Sequence, residues 1–152
     1  MRRIVILDAG PAGLVVCSAE VPAAAHCMSW LAGLESSSAE VVLPTIVDFE
    51  VRRELLRIGA TAKLRALDEL GARFDLVDVS AEAFRRAAEF WAIVRRAGRP
   101  TADPKALDAD TLVAGVAATI ADPWDDVIVA TTNVGHFARF PGIDARPWGD
   151  IH

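Results

Sequence analysis

Three acidic residues, far apart in the chain, have the type and setting to act together: Asp8, Glu50 and Asp110. Asp8 ends the apolar run Ile4-Val5-Ile6-Leu7. That places it at the carboxyl end of a first strand, the edge where ligands of open α/β sheets bind. Alone it has a second reading, as a cap for the following turn. Glu50 lies in LPTIVDFEVRRELLR, one to two turns into a helix that starts at Pro44, between an apolar stripe and a polar face. Its plain alternative is a solvated helix carrying ion pairs, Glu50 with Arg53 and Asp48 with Arg52, each worth roughly a few tenths of a kcal/mol. Asp110 sits in the first turn of a small-residue helix, LDADTLVAGVAAT, with Asp108 as candidate N-cap. Capping and the helix dipole account for both acids without any ligand. Yet Ala114 and Gly115 leave room beside the Asp110 carboxylate, and a hard divalent cation needs oxygen ligands and space for its waters. Thr131, Thr132 and Asn133, at the end of the last clear strand, bring hydroxyl and amide groups to the same edge of the sheet.

The segment IVILDAGPAGL invites comparison with a dinucleotide-binding turn, since Asp8, Gly10 and Gly13 fall at the three G-x-G-x-x-G places. The first place is an aspartate. In such folds a pyrophosphate lies against this turn and the next helix N-terminus, where a carboxylate repels it and fills the space the glycine leaves open. The rest of a flavin enzyme would also need more chain than this.

The elements that must carry these residues alternate. Strands are expected at Ile4–Leu7, Glu40–Leu43, Phe74–Val79 and Val127–Thr131. Helices are expected at 21–33, at Thr45–Ile58 with Val47, Val51, Leu55 and Ile58 as its apolar stripe, and at Thr61–Leu70, closed by Gly71. Two more follow: from Ser80 to Arg96, with Phe84, Ala87, Ala88 and Trp91 facing inward, and from Asp108 to Ile120 after a polar connection over 98–105. This order predicts a three-layer α/β/α sandwich around a mostly parallel sheet of four to five strands, as one domain over residues 1–152. At 152 residues and 53% hydrophobic, with only 24% charged, the chain can bury a real core and is not a disordered segment.

Charge and cysteines set the partners and compartment. The formal net charge of −5 has the wrong sign for holding nucleic acid by bulk electrostatics alone, though arginines gathered on one face can still do so. Cys17 and Cys27 form no disulfide framework and have no histidine pair for zinc; with Trp30 they read as core. Asp8 interrupts the apolar start too early for a signal peptide, and no apolar run is long enough to span a bilayer, so a cytoplasmic protein is expected.

Asp8 in ILDAGP, Glu50 in IVDFEVRRELL and Asp110 in DADTLVAG, in this order and placement, resemble the PIN-domain nucleases. The closing VIVATTNVGHFARFPGI, with Trp148 just downstream, is similar to the corresponding stretch of VapC-type toxins. The resemblance runs from Ile4 to Trp148 and implies the PIN-like fold. It implies that Asp8, Glu50 and Asp110 are catalytic, metal-binding acids, with Asn133 and Thr131 as supporting groups for phosphate or water. Two departures stand out: DAGP lacks the small hydroxyl residue usual after the aspartate, and Asn133 stands where many members carry a fourth acid.

The activity so implied is hydrolysis of RNA phosphodiester bonds, as the toxin of a type II toxin–antitoxin pair. The cofactor is Mg2+ or Mn2+, which eases the repulsion of crowded carboxylates, acidifies water and offsets phosphate charge. Asp8 and Asp110 are the direct ligands, and Glu50 binds through water or orients the attacking water. An antitoxin protein and a homodimer are the implied protein partners, and the apolar stretch from Val15 to Leu34 is a candidate interface. RNA phosphates need positive charge outside the acids. Arg52, Arg53 and Arg57, with Lys63 and Arg65, form one basic cluster; Arg85, Arg86, Arg95, Arg96 and Arg99 form another. Either cluster can equally be a solvated helix face. His136 reads as a structural hydrogen-bonder, with phosphate donation as the alternative, and Trp148 as a residue pinning the tail. Two other functions fit the same sequence: a catalytically weak PIN-like RNA-binding or regulatory module, and a small-ligand or nucleotide-binding α/β protein.

Overall fold

The apolar run after Arg2 forms the central strand of the sheet, β1 (Arg3–Leu7), in a computed structural model that describes residues 1–98 and 104–152, the side chains of 104–106 excepted. Next come α1 (Ala9–Val15), α2 (Pro22–Glu35), β2 (Glu40–Pro44), α3 (Thr45–Ile58), α4 (Thr61–Arg73) and β3 (Asp75–Val77). The remainder is α5 (Ala81–Arg96), α6 (Pro104–Thr119), β4 (Asp126–Thr131), α7 (Val134–Phe137), β5 (Ala145–Pro147) and a 3₁₀ turn at Trp148–Asp150. The five strands pair in parallel in the order β3-β2-β1-β4-β5. Ile4–Leu7 in β1 and Ile128–Thr131 in β4 are buried without alternation, which requires helices over both faces of the sheet. The fold is therefore the expected α/β/α sandwich.

Helix boundaries follow local chemistry. α3 stops where Gly59 takes up a left-handed conformation (φ +69°) and the Ala60 N–H returns to the Leu55 carbonyl, a glycine-terminated helix end. Ser80 caps α5, its hydroxyl accepting the Ala83 N–H at 3.0 Å. Gly71 does not close α4, which runs on to Arg73, and Ile58 is 53% exposed, so the α3 stripe ends at Leu55.

The inward face of α5 and the start of α6 differ from the sequence reading. On α5 the buried residues are Ala83, Ala87, Phe90 and Val94, whereas Phe84 is 53% and Trp91 40% exposed and Ala88 faces out. The reason lies in the neighbouring helix. A Cβ added to Gly115 on α6 would press into the Ala83 carbonyl and come within 3.2 Å of the Ala87 methyl, so the helices meet on small residues. Gly115 is thus spent on this close approach and does not leave space for Asp110. α6 also begins at Pro104, which puts Asp108 inside the helix rather than at its cap, and Asp110 beyond the first turn. Most of the connection expected over 98–105, with Arg99, lies outside the described residues.

The stretch from Val15 to Leu34 is largely absorbed: Val16, Cys27, Leu31 and Leu34 are core, and Val21 is its one large exposed apolar residue. Trp148 does pin the tail. Its ring packs 5.4 Å from Trp30 and 5.0 Å from His26, while Trp30 Nε1 donates to the Ile151 carbonyl at 2.9 Å. Beyond β4, the short α7 and the edge strand β5 add elements the sequence did not reveal. Among the described residues no helix is long and apolar enough to cross a membrane.

Candidate functional site

The strand order reverses direction between β1 and β4, and the site is built at the carboxyl ends of these two neighbours, where a doubly wound sheet opens a crevice. Leu7 pairs with Ala130, and the Asp8 N–H continues the ladder to the Ala130 carbonyl at 3.0 Å. Asp8 and Thr131 therefore emerge side by side. The Asp8 carboxylate makes no capping bond to α1, so the simple cap is set aside. Instead Thr131 Oγ1 donates to Asp8 Oδ2 at 2.7 Å, while the Asn133 N–H donates to that same hydroxyl at 2.9 Å. The backbone bond occupies a lone pair and leaves the hydroxyl proton for the carboxylate. The hydroxyl missing after Asp8 in the sequence is thus supplied from the end of β4.

Asp8 is only 6% exposed, and among the described residues no cation lies in ion-pair range of it. Burial pushes its pKa up, and the Thr131 hydroxyl and Ala9 N–H hold it down only in part. Glu50 projects from α3 toward the same edge. Its pKa is pushed up from 4.5 to about 7, first by burial and then by the negative charges of Asp8 and Asp110. Asp110 on α6 is pushed up from 3.8 to about 6 by burial and by Asp8, against the opposing pull of His136 and Arg139. All three acids thus share one electrostatic neighbourhood, each of the other two charges opposing ionisation of Glu50 and that of Asp8 opposing ionisation of Asp110. Among the described residues no three His, Cys, Asp or Glu side chains converge tightly enough to form a finished metal cage. Repulsion between carboxylates opposes such convergence, and partly buried acids with too little counter-charge are the donor set that a hard divalent cation satisfies.

Asn133 reaches the edge through its backbone only; its side chain is exposed and makes no hydrogen bond among the described residues. Two residues outside the expected acid set stand beside Asp110. His136 Nδ1 is 3.0 Å from Asp110 Oδ2, and an Arg139 Nη lies 4.0 Å from that same oxygen. Arg139 Nε donates to the His136 carbonyl at 2.9 Å, fixing the two as a unit. Their i,i+3 spacing after Asn133 was the available signal, but it becomes legible only once α7 is known to turn toward α6.

The three arginines of α3 part ways. Arg52 is tied to Asp48 at 2.8 Å and to Asp68 at 2.7 Å, and Arg57 is bound to Glu54. The Glu50–Arg53 ion pair of the alternative, solvated-helix reading is absent among the described residues; the Arg53 guanidinium lies instead 5.2 Å from the Phe49 ring centroid. Gly10 sits under Thr132, whose Cγ2 would lie 2.8 Å from an added Cβ, so the small residues after Asp8 let β4's end close over the turn.

No protein-family model matches the chain, and no curated protein matches it by sequence. Solved structures do match. A chain of DNA-bound VapBC from Salmonella typhimurium superimposes with a TM-score of 0.73 at 19% identity, covering 97% of this chain and 99% of that one. VapBC2 from Rickettsia felis, bound to a DNA fragment from its promoter, gives 0.72 at 17% identity, over 94% of this chain and 97% of that one. FitAcB from Neisseria gonorrhoeae gives 0.68 at 17% identity, over 97% and 99%. The likeness spans nearly the full length on both sides and establishes the fold, the PIN-like α/β/α sandwich that the sequence resemblance implied.

Proposed function

We propose that this chain is the toxin of a VapC-type toxin–antitoxin pair, a Mg2+- or Mn2+-dependent endoribonuclease acting in the cytoplasm. The observation that carries the reading is the grouping of Asp8, Glu50 and Asp110 at the β1/β4 edge, each held against its tendency to ionise. The fold shared with chains of VapBC and FitAB assemblies supports an antitoxin partner and a nuclease of the PIN type. A homodimer remains part of the proposal.

Asp8 and Asp110 would hold the cation directly, with Glu50 completing the site through water. When bound, the cation supplies positive charge against the phosphoryl oxygens and eases deprotonation of the attacking water. The protein's own residues do the rest. Thr131, buried and fixed by the Asn133 N–H, keeps the Asp8 carboxylate in one orientation. Glu50, beside the other two acids, would orient the attacking water and receive its proton. His136 and Arg139 hold Asp110, and Arg139 would place positive charge beside an anionic phosphodiester at this edge. The new bond joins water oxygen to phosphorus, the bond to the 3′ oxygen breaks, and that oxygen takes its proton from solvent water while Glu50 later releases the one it received.

The test is cleavage of single-stranded RNA by the purified protein with Mn2+, with EDTA as control. Asp8→Asn and Asp110→Asn should each lower cleavage by more than about a hundredfold, as loss of one electrostatic element of an active site does. Mn2+ should raise the melting temperature of wild type and not of Asp110→Ala. No cleavage by wild type, or equal cleavage by Asp8→Asn, defeats the reading.

A further inference from the structure

Beside the acid edge, a cleft of about 350 Å³ runs between α1, α3 and α4 and shares Glu50 with it. Val16, Val51 and Leu55 give it an apolar wall. Gly13 lines it from α1, where an added Cβ would meet nothing within 4 Å. Arg53 and Lys63 are its cations, and neither makes an ion pair among the described residues. That sets them apart from Arg52 and Arg57, whose charges are already matched by carboxylates. Glu54, the other acid of the cleft, is neutralised by Arg57. Arg53 lies over the exposed Phe49 ring, a contact that orients a guanidinium while leaving its charge intact.

An apolar wall, two cations outside any close ion pair and direct continuity with Glu50 of the acid edge are together the chemistry of one nucleotide. The base needs a surface to lie on and its phosphate needs positive charge, which a chain of net charge −5 must supply locally. The volume stands at the low end for ligand sites, enough for a single residue and not for a run of them. We propose that this cleft is the subsite for the RNA nucleotide adjoining the cleaved bond, and that it sets which base the protein prefers there. Val16, Val51 and Leu55 contact the base; Arg53 and Lys63 hold the flanking phosphate. The proposal rests on the ribonuclease reading above.

The test uses single-stranded RNA of randomised sequence, cleaved in Mn2+, with KM measured and the cut ends sequenced. Arg53→Gln and Lys63→Gln remove the phosphate ligands, Gly13→Phe fills the cleft from a position whose added Cβ meets nothing within 4 Å, and Arg73→Gln, at the far end of α4 and bound to Glu35, is the control. Arg53→Gln and Gly13→Phe should each raise KM about tenfold, the scale of one lost charge-assisted contact, and flatten base preference beside the cut. Melting with and without Mn2+ should match wild type, which separates subsite loss from damage to the acids. Should Gly13→Phe fail to fold, Arg53→Gln carries the test alone, since its side chain is at the surface. Wild-type cleavage with KM and cut preference unchanged in Arg53→Gln and Gly13→Phe overturns the subsite alone, and is the pattern expected if the cleft seats a protein segment. No wild-type cleavage overturns the ribonuclease reading and the subsite with it.

Discussion

Neutralising Glu50 should make the metal-free protein more stable. Burial and the charges of Asp8 and Asp110 carry its pKa from 4.5 to about 7, so the folded state retains a proton that the unfolded chain has already lost. Stability then falls as pH rises across that window, because the native state binds more protons than the unfolded state. Below about pH 4.5 both states are protonated and there is no penalty; above about pH 7 the penalty is complete. Taken at face value the shift corresponds to about 3 kcal/mol, and solvent screening of a half-buried carboxylate reduces this to about 1–2 kcal/mol. At roughly 2–4 °C per kcal/mol for a chain of this size, Glu50→Gln should melt about 2–8 °C above wild type near pH 8. The two should coincide near pH 4. Thermal unfolding followed by circular dichroism in EDTA at the two pH values measures both. With saturating Mn2+ the order should invert, since wild type gains the binding energy and the variant loses a ligand. A variant that melts no higher than wild type near pH 8, or gains equally at both pH values, refutes the claim that this carboxylate sits where its charge is unwelcome.

Two further substitutions probe the scaffold. Thr131→Val keeps the shape but strips Asp8 of its hydroxyl donor and the Asn133 N–H of its acceptor, which should cost about 2 kcal/mol near neutral pH and lower Tm by about 4–8 °C. Gly115→Ala, a change that normally favours a helix by about 1 kcal/mol, should instead destabilise by about 1–3 kcal/mol in denaturant melts, because its methyl has no place beside Ala83.

The sequence announced its structure where one local rule was sufficient. Uninterrupted β-branched runs marked β1, β2 and β4, since parallel strands buried on both faces need no alternation. α3 matched Thr45–Ile58 because a proline opens it and a left-handed glycine closes it. Asp8 was placed correctly because the end of a strand is a position the chain fixes by itself. The rest depended on partners. Bulk points to Phe84 and Trp91 as the inward face of α5, whereas close approach to Gly115 rewards Ala83 and Ala87. The capping signal at Asp108 points to Asp110 as a first-turn acid, but α6 opens earlier, at Pro104. β5 has three residues and no pattern of its own; only the exposed edge of β4 calls it into the sheet. The Thr131–Asp8 bond spans nearly the whole chain, a relation that spacing does not encode.

The seam where the chain's ends meet has a practical use. Arg3 donates to the His152 carbonyl at 2.8 Å, so the first strand and the last residue lie within one side chain's reach. Arg3 is at the amino end of β1, the pole of the sheet opposite Asp8. A short peptide joining these ends would create a ring that can be reopened at a surface turn such as Ser36–Ser38, giving a circular permutant with the acids undisturbed. An immobilising anchor attached at the same pole would leave the opposite edge facing the solvent.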